Sequence, residues 1–405
     1  MEIKYGAVDL AQLLIKSGAD VNIPTKDQIS IIESLHEGPS LIIAGAGSGK
    51  TETMSARVIW LVANGLVTPD QVLGLTFTRK AAGELTVRIR KRLRQLKSAG
   101  ALPAPNIELS ANVSTYHSYA GKVLSEHALR IGIDVSGEPL GEAAVWQLAS
   151  NIVNNYSGDM SAIEHGPDYI VKKLLSLIGQ IGEHGVELSV LEEISREWVL
   201  RFESIPSGDN EAVRKAKRAL QERLQMLPLV KEFEDYRVKN GVSTFDDQMA
   251  WAAKLMRSEF ATEIAKSERA KYKIVLLDEY QDTSYSQVRF LSGLFGTNDS
   301  LGSHRTTAVG DPNQSIYGWR SASAGTISAF PSEFGGTTKT ERFNLMTTWR
   351  NSQAILGLAN QTIENLKEMT QSQSQFQMVA NSMESVGKLE AREKAPIGEI
   401  ALGQY

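Results

Sequence analysis

The run Leu41-Ile42-Ile43-Ala44-Gly45-Ala46-Gly47-Ser48-Gly49-Lys50-Thr51 constrains this chain more than any other. Leu41-Ile42-Ile43 reads as a short buried strand, and Thr51–Asn64 takes up a helical period. A glycine-rich turn between strand and helix lets backbone N–H groups converge, and the helix adds the positive end of its dipole. That is a P-loop, with Ala44 where the plain consensus has Gly. Ala44, Gly45, Ala46, Gly47, Ser48 and Gly49 would cradle phosphate oxygens. Lys50 would reach the β- and γ-phosphates, and the Thr51 hydroxyl would bind Mg²⁺.

The flanking pattern predicts the sheet that such a turn needs. Val72–Thr76, Val113–Thr115, Ile274–Leu277 and Thr306–Val309 read as further short strands. Helices are expected over Pro24–Leu35, from Ala81 to about Leu96, and from about Ser352 to Leu366. Alternating strand, turn and helix argue for an α/β fold with a parallel sheet. From about Ser118 to Gly241 strand signals vanish, and apolar residues recur at helical spacing, as in Val145, Leu148 and Ile152. This stretch is expected to be a helical insertion between sheet strands, with a surface loop at Ser207–Asn210. Met1–Asn22 is taken as a lead-in. Its Leu13–Asn22 segment resembles the end of an ankyrin repeat, but no second copy follows at a period of about 33 residues. Gln371–Ser385 is Gln- and Ser-rich and reads as a linker. Ile400-Ala401-Leu402 reads as the start of a strand.

Composition narrows the chemistry. The chain has 405 residues and no cysteine, which removes disulfides, thiol nucleophiles and cysteine metal sites, and fits a reducing compartment. No apolar run reaches the roughly 18 residues that cross a bilayer, and no signal-peptide pattern opens the chain. A cytoplasmic protein without membrane contact is expected. Forty-three basic against 47 acidic residues give a net charge of −4. That disfavours a protein that merely coats nucleic acid, but not one that grips it in a local groove.

Asp278 and Glu279 end the apolar strand Ile274–Leu277. Two carboxylates there are costly unless they face water or a cation. Beside a P-loop the economical assignment is Asp278 to Mg²⁺ and Glu279 to the attacking water. Together these motifs read as nucleoside triphosphate hydrolysis, with its use left open.

The residues that follow supply the use. Asp278-Glu279-Tyr280-Gln281-Asp282-Thr283-Ser284 resembles motif II of superfamily 1 helicases of the UvrD/Rep type. Val309–Arg320 resembles their motif III, Thr76–Ala82 motif Ia, Ser114–Ser118 the next DNA-contacting motif, Thr348–Ser352 motif IV, and Pro24–Gln28 the Q motif. The resemblance implies an RecA-like subdomain over 23–118 and 243–345, a helical subdomain over 119–242, and the start of a second RecA-like domain over 346–405. It implies that Gln28 reads adenine, that Trp349 stacks on it, and that Arg350 and Gln314 contact the γ-phosphate. It implies that Phe77, Tyr317 and Trp319 stack on bases of single-stranded DNA, and that Thr78, Arg79, Thr115, Tyr116 and His117 join the DNA path. ATP and Mg²⁺, single-stranded DNA and its junctions with duplex, 3′-to-5′ movement, and a setting in repair or recombination are all implied in the same way.

Some features depart from the pattern or stay open. Arg79 stands where many relatives have Asn. The run Arg79, Lys80, Arg88, Arg90, Lys91, Arg92, Arg94 and Lys97 fits either a solvated helix face or part of the nucleic-acid path. The combination of 47–52 with 77–84 looks most like the actinobacterial UvrD-type or AdnB-like branch, which implies a longer chain, a helicase–nuclease and a partner subunit. No counterpart of motif V or VI is found, so a partial sequence is expected. Three readings follow: a helicase motor, a nucleotide-gated DNA-binding module that does not turn over as a motor by itself, or the motor portion of a helicase–nuclease.

Overall fold

The computed structural model describes residues 3–103, 109–135, 140–204, 210–316, 325–371 and 387–401. In chain order, α1 (Ala7–Lys16) and α2 (Lys26–Ile32) precede β1 (Ser40–Ala44) and α3 (Lys50–Ala63). Next come β2 (Val72–Thr76), α4 (Arg79–Ser98), β3 (Asn112–Thr115) and α5 (Tyr116–His127). A helical stretch follows: α6 (Glu142–Asn155), α7 (Pro167–His184), α8 (Leu188–Glu203), α9 (Glu211–Asn240) and α10 (Phe245–Leu255). The chain then gives α11 (Ala261–Lys271), β4 (Ile274–Leu277), α12 (Tyr285–Phe295), β5 (Thr306–Gly310) and α13 (Gly325–Phe330). Last are β6 (Glu341–Leu345), β7 (Thr347–Thr348), α14 (Gln353–Gln371) and β8 (Glu390–Ala391).

Two compact units result, Met1–Tyr119 with Glu259–Tyr405, and Ala120–Ser258. The first carries a parallel sheet ordered β3-β2-β4-β5-β1-β6. Every residue of β1, β2, β4 and β5 is buried, as strands covered on both faces must be. One core joins Ile42 and Val309 of the sheet to Leu10 and Leu14 of α1, Ile31 of α2, Trp60 of α3 and Leu93 of α4. β7 and β8 form a separate parallel pair. Among the described residues every element of the second unit is a helix, and these pack around Ile152, Leu174, Leu229 and Phe233.

Capping sets several helix starts. Thr25 accepts from the Gln28 N–H and Gln28 Oε1 accepts from the Thr25 N–H, opening α2. Ser284 and Gln287 repeat the device at α12, and Thr78 caps α4 through Ala81 N–H. Each such cap contributes about 1 kcal/mol.

Two expectations change, and one strand appears that was not expected. The supposed lead-in holds α1, whose Ala7, Leu10, Ala11 and Leu14 recur at helical spacing and are all buried. Ile400 and Ala401 lie in no strand, while Leu402 lies outside the described residues. β6 was not legible as a strand, because at the sheet edge only Leu345 of Glu-Arg-Phe-Asn-Leu is buried. Of the expected loop Ser207–Asn210 and linker Gln371–Ser385, residues 207–209 and 372–385 lie outside the described residues, while Asn210 caps α9 and Gln371 ends α14. Among the described residues no helix is long and apolar enough to cross a membrane.

Candidate active site

The C-terminal ends of the parallel strands are where α/β sheets collect ligands. β1 ends at Ala44, and the turn that follows is shaped by glycine. Gly47 and Gly49 take φ of +75° and +86°. A Cβ on Gly47 would lie 2.7 Å from Arg350 Cβ and 2.8 Å from Thr348 Oγ1, so no side chain fits there. The Trp349 N–H donates to the Gly47 carbonyl at 2.9 Å, tying the segment after β7 to the turn. Ser48 is buried, and its hydroxyl has no partner, as has the Thr348 hydroxyl. Buried polar atoms in a folded protein are nearly always satisfied, so orphans grouped at a glycine turn mark a place for a polar ligand.

β4 ends two strands away. Asp278 is buried, and its Oδ1 accepts from the Glu279 N–H at 3.0 Å. Burial first, and the Glu279 charge second, push the Asp278 carboxyl up to about 6, against the pull of Lys50. Glu279 takes φ +50°, a left-handed conformation that costs a non-glycine residue energy and recurs at functional sites. It turns the chain at once into the single turn Tyr280–Asp282. The Glu279 carboxylate then meets the Lys50 ammonium at 2.8 Å. Thus the turn after β1 and the acids after β4 share one space.

A hydrogen-bonded amide joins this space to β5. Gln281 Nε2 donates to Glu279 Oε2 at 2.9 Å and to Asp282 Oδ2 at 3.2 Å, while its Oε1 accepts from the Asp311 N–H at 3.1 Å. Gln314 Nε2 donates to Asp311 Oδ2. Burial, then the Glu279 charge, raise Asp282 to about 6, and burial raises Asp311 as well. Sequence reading named Gln314 but not Gln281, Asp282 or Asp311, although all three stand inside the quoted motifs.

The residues expected to meet the nucleotide base converge too. Gln28 is buried, and Gln28, Gly49 and Trp349 are among the residues lining a cavity of about 270 Å³. Arg350 is exposed beside the turn.

The residues expected on a DNA path lie at the ends of β2 and β3. Phe77 is half-buried, while Thr78, Arg79 and His117 are exposed. Thr115 is half-buried, and its Oγ1 accepts from the Ser118 N–H. Tyr116 requires a correction. It is 2% exposed, and its hydroxyl donates to the Asp278 carbonyl at 2.8 Å. Its aromatic ring packs in the core and offers nothing to a strand, so it positions β4 instead. Arg92 also leaves the basic face: it is buried and paired with Glu52 at 2.7 Å, bonding Ser55 as well. Tyr317 and Trp319 lie outside the described residues.

A parallel sheet with a glycine phosphate turn facing an acidic strand end defines the P-loop class of α/β domain. Residues 25–335 match the family described as the UvrD/REP helicase N-terminal domain. With more than half of its length matched, the chain belongs to the UvrD/REP helicase family, within superfamily 1. Similar proteins include a DNA helicase II of Rickettsia typhi, 26% identical over 343 residues, covering 82% of this chain and 44% of that one. The ATP-dependent DNA helicase PcrA of Bacillus subtilis is 26% identical over 329 residues, 81% of this chain and 38% of its own. PcrA of Staphylococcus aureus strain Mu50 is 28% identical over 333 residues, 82% and 39% respectively. The chain spans less than half the length of these relatives.

Proposed function

We propose that the chain is the ATP-hydrolysing, strand-gripping portion of a superfamily 1 DNA helicase that moves 3′ to 5′ on single-stranded DNA. The observation that carries the reading is the approach of Lys50 to Glu279 at 2.8 Å, beside the orphaned Ser48 hydroxyl. A triphosphate entering the turn would take Lys50 onto its β- and γ-phosphates and release the Glu279 carboxylate toward water. The water oxygen then attacks the γ-phosphorus and its proton passes to Glu279. The bond from that phosphorus to the bridging oxygen breaks, and ADP leaves. Arg350 and Gln314 add donors to the charge that develops on the γ-phosphoryl oxygens.

The donor set fits Mg²⁺. Asp278 is a carboxyl that burial, and then the Glu279 charge, raise to about 6, which a cation beside it would relieve, and Thr51 supplies a hydroxyl one residue beyond Lys50. These two would hold the ion, which supplies charge neutralisation of the phosphates.

Base recognition falls to Gln28 and Trp349. Phe77, with Tyr317 and Trp319, would stack on bases. Stacking tolerates any sequence, which suits a motor. Thr78, Arg79, Thr115 and His117 would touch backbone. Junctions of single and double strands, a role in repair or recombination, and a cytoplasmic setting belong to the same reading. The test is ATP hydrolysis with and without single-stranded DNA. Stimulation by DNA supports the reading, and hydrolysis indifferent to DNA contradicts it.

A further inference from the structure

The helix α4 carries eight basic residues, and they divide into two sets. Arg88 and Arg92 turn toward α3, where Glu52 meets Arg92 at 2.7 Å and Arg88 at 3.7 Å. Arg79, Lys80, Arg90, Lys91, Arg94 and Lys97 are exposed. We propose that this exposed face of α4 holds the phosphate backbone of double-stranded DNA, placing the duplex arm of a junction beside the single strand gripped at Phe77. The inference rests on the DNA-binding reading of the site.

Helical periodicity puts these six on one side. At about 100° per residue they fall within an arc of about 120°, and from Arg79 to Lys97 they run about 27 Å along the axis. Leu85, Ile89, Leu93 and Leu96 occupy the opposite side and are buried in the core. Glu84 is the one acid on the helix and stands at the border of the arc, 4.0 Å from Lys80. Solvated helix faces usually set carboxylates three or four residues from their cations. Arg90, Lys91, Arg94 and Lys97 have no acid at either spacing. The helix dipole does not call for them either, since of the four only Lys97 stands in the last turn. The chain as a whole has a net charge of −4, so the accumulation is local to this face.

The partner follows from what the face contains and what it lacks. A row of cations without neighbouring acids attracts a polyanion. On the DNA-binding reading that polyanion is the DNA backbone, because α4 begins at Arg79, two residues after Phe77 at the end of β2. Surfaces that hold single strands combine cations with aromatic rings on which bases stack. The other exposed residues of this face are Gly83, Glu84, Val87 and Ser98, and none is aromatic. Phosphates whose bases are already paired need no ring. Arg90 is partly fixed, its Nη2 donating to Ser110 Oγ at 3.0 Å, which lowers the entropy lost when its other nitrogens meet a phosphate.

The probe is a short duplex with a single-stranded oligo-dT tail, compared with the tail alone by fluorescence anisotropy of the whole chain across salt concentrations. The unaltered protein is expected to bind the tailed duplex at least about tenfold tighter than the tail. Arg90→Gln, Lys91→Gln and Arg94→Gln combined should weaken the tailed duplex at least about tenfold, flatten the slope of log K against log salt by roughly 2 to 3, and leave the tail within about threefold. Glu84→Gln removes the one acid of the face and should tighten the tailed duplex by roughly two- to fivefold, a sign that misfolding does not mimic. Equal weakening of tail and tailed duplex by the combined variant assigns the face to the single strand and overturns the proposal. A tailed duplex bound no tighter than the tail, or unmoved by the combined variant, overturns it as well. If the unaltered protein binds neither DNA, the DNA-binding reading falls and this inference falls with it. Binding of the tail with no gain from the duplex removes this inference alone.

Discussion

Gln281 and Asp311 are joined by one hydrogen bond, from the Asp311 N–H to Gln281 Oε1 at 3.1 Å, and that bond orients the whole amide. With its oxygen held by β5, the amide nitrogen must face Glu279 and Asp282. Gly310 makes the approach feasible, since a Cβ there would lie 2.7 Å from Gln281 Oε1. The Glu279 carboxylate is therefore aimed by a residue that also touches the neighbouring strand end. Gln281→Glu replaces the donor with a third carboxylate. Loss of a hydrogen bond to a charged group is worth about 1.5–3 kcal/mol, so ATP turnover is expected to fall roughly 10- to 100-fold. A steady-state assay of kcat and KM checks this. A purely structural role for Gln281 would leave kcat of the folded variant unchanged.

Gly47 is held at φ +75° against Thr348 and Arg350. Gly47→Ala should cost at least about 1 kcal/mol from the left-handed backbone alone. It should also displace Arg350 and weaken ATP binding. Denaturant midpoints and ATP titrations of the variant check both effects. Unchanged values in both would mean that the turn relaxes freely.

Phe77 stands half-buried where β2 ends. Phe77→Ala is expected to weaken binding of oligo-dT by about 1–3 kcal/mol, roughly 5- to 150-fold, while hydrolysis without DNA stays as before. Filter binding and a DNA-free hydrolysis assay separate the two.

His304 is a buried base whose pKa burial lowers to about 4, with Arg269, Lys273 and Arg305 adding repulsion. Its Nε2 bonds the Tyr272 carbonyl at 2.9 Å, which fixes that nitrogen as the protonated one of the neutral ring. The ordinary value is 6.5, so between 6.5 and 4 the unfolded chain binds the extra proton and the folded chain does not. Stability is thus whole above about 6.5 and is lost as pH falls toward 4, by on the order of 3 kcal/mol over the full window. The raised carboxyls Asp278 and Asp282 act in the opposite sense. The difference between the unaltered protein and His304→Gln isolates the histidine: the variant should lose less stability across that window. Parallel curves would contradict the assignment.

What the sequence disclosed, and what it hid, follows from physical cause. β2 and β4 were readable to the residue, because strands covered on both faces are continuous apolar runs. The phosphate turn was readable because its glycines are required by backbone geometry. α1 was passed over since its apolar spacing begins only six residues into a polar start, and its burial depends on α2, α3 and α4. The role of Gln281 is tertiary: nothing in a sequence states which way an amide points. Tyr116 was misread for the same reason, its ring being turned inward to the Asp278 carbonyl.

The most direct test of the account is the comparison of ATP binding and ATP hydrolysis in Glu279→Gln. In the proposed mechanism Lys50 and the turn bind the nucleotide, and Glu279 takes the proton. Removing the carboxylate also frees Lys50 from its 2.8 Å ion pair. The variant is therefore expected to bind ATP at least as tightly as the unaltered protein while hydrolysis falls by about 100-fold or more. Hydrolysis that persists near its original rate, with ATP bound, would contradict Glu279 as the water-activating group and the central claim with it.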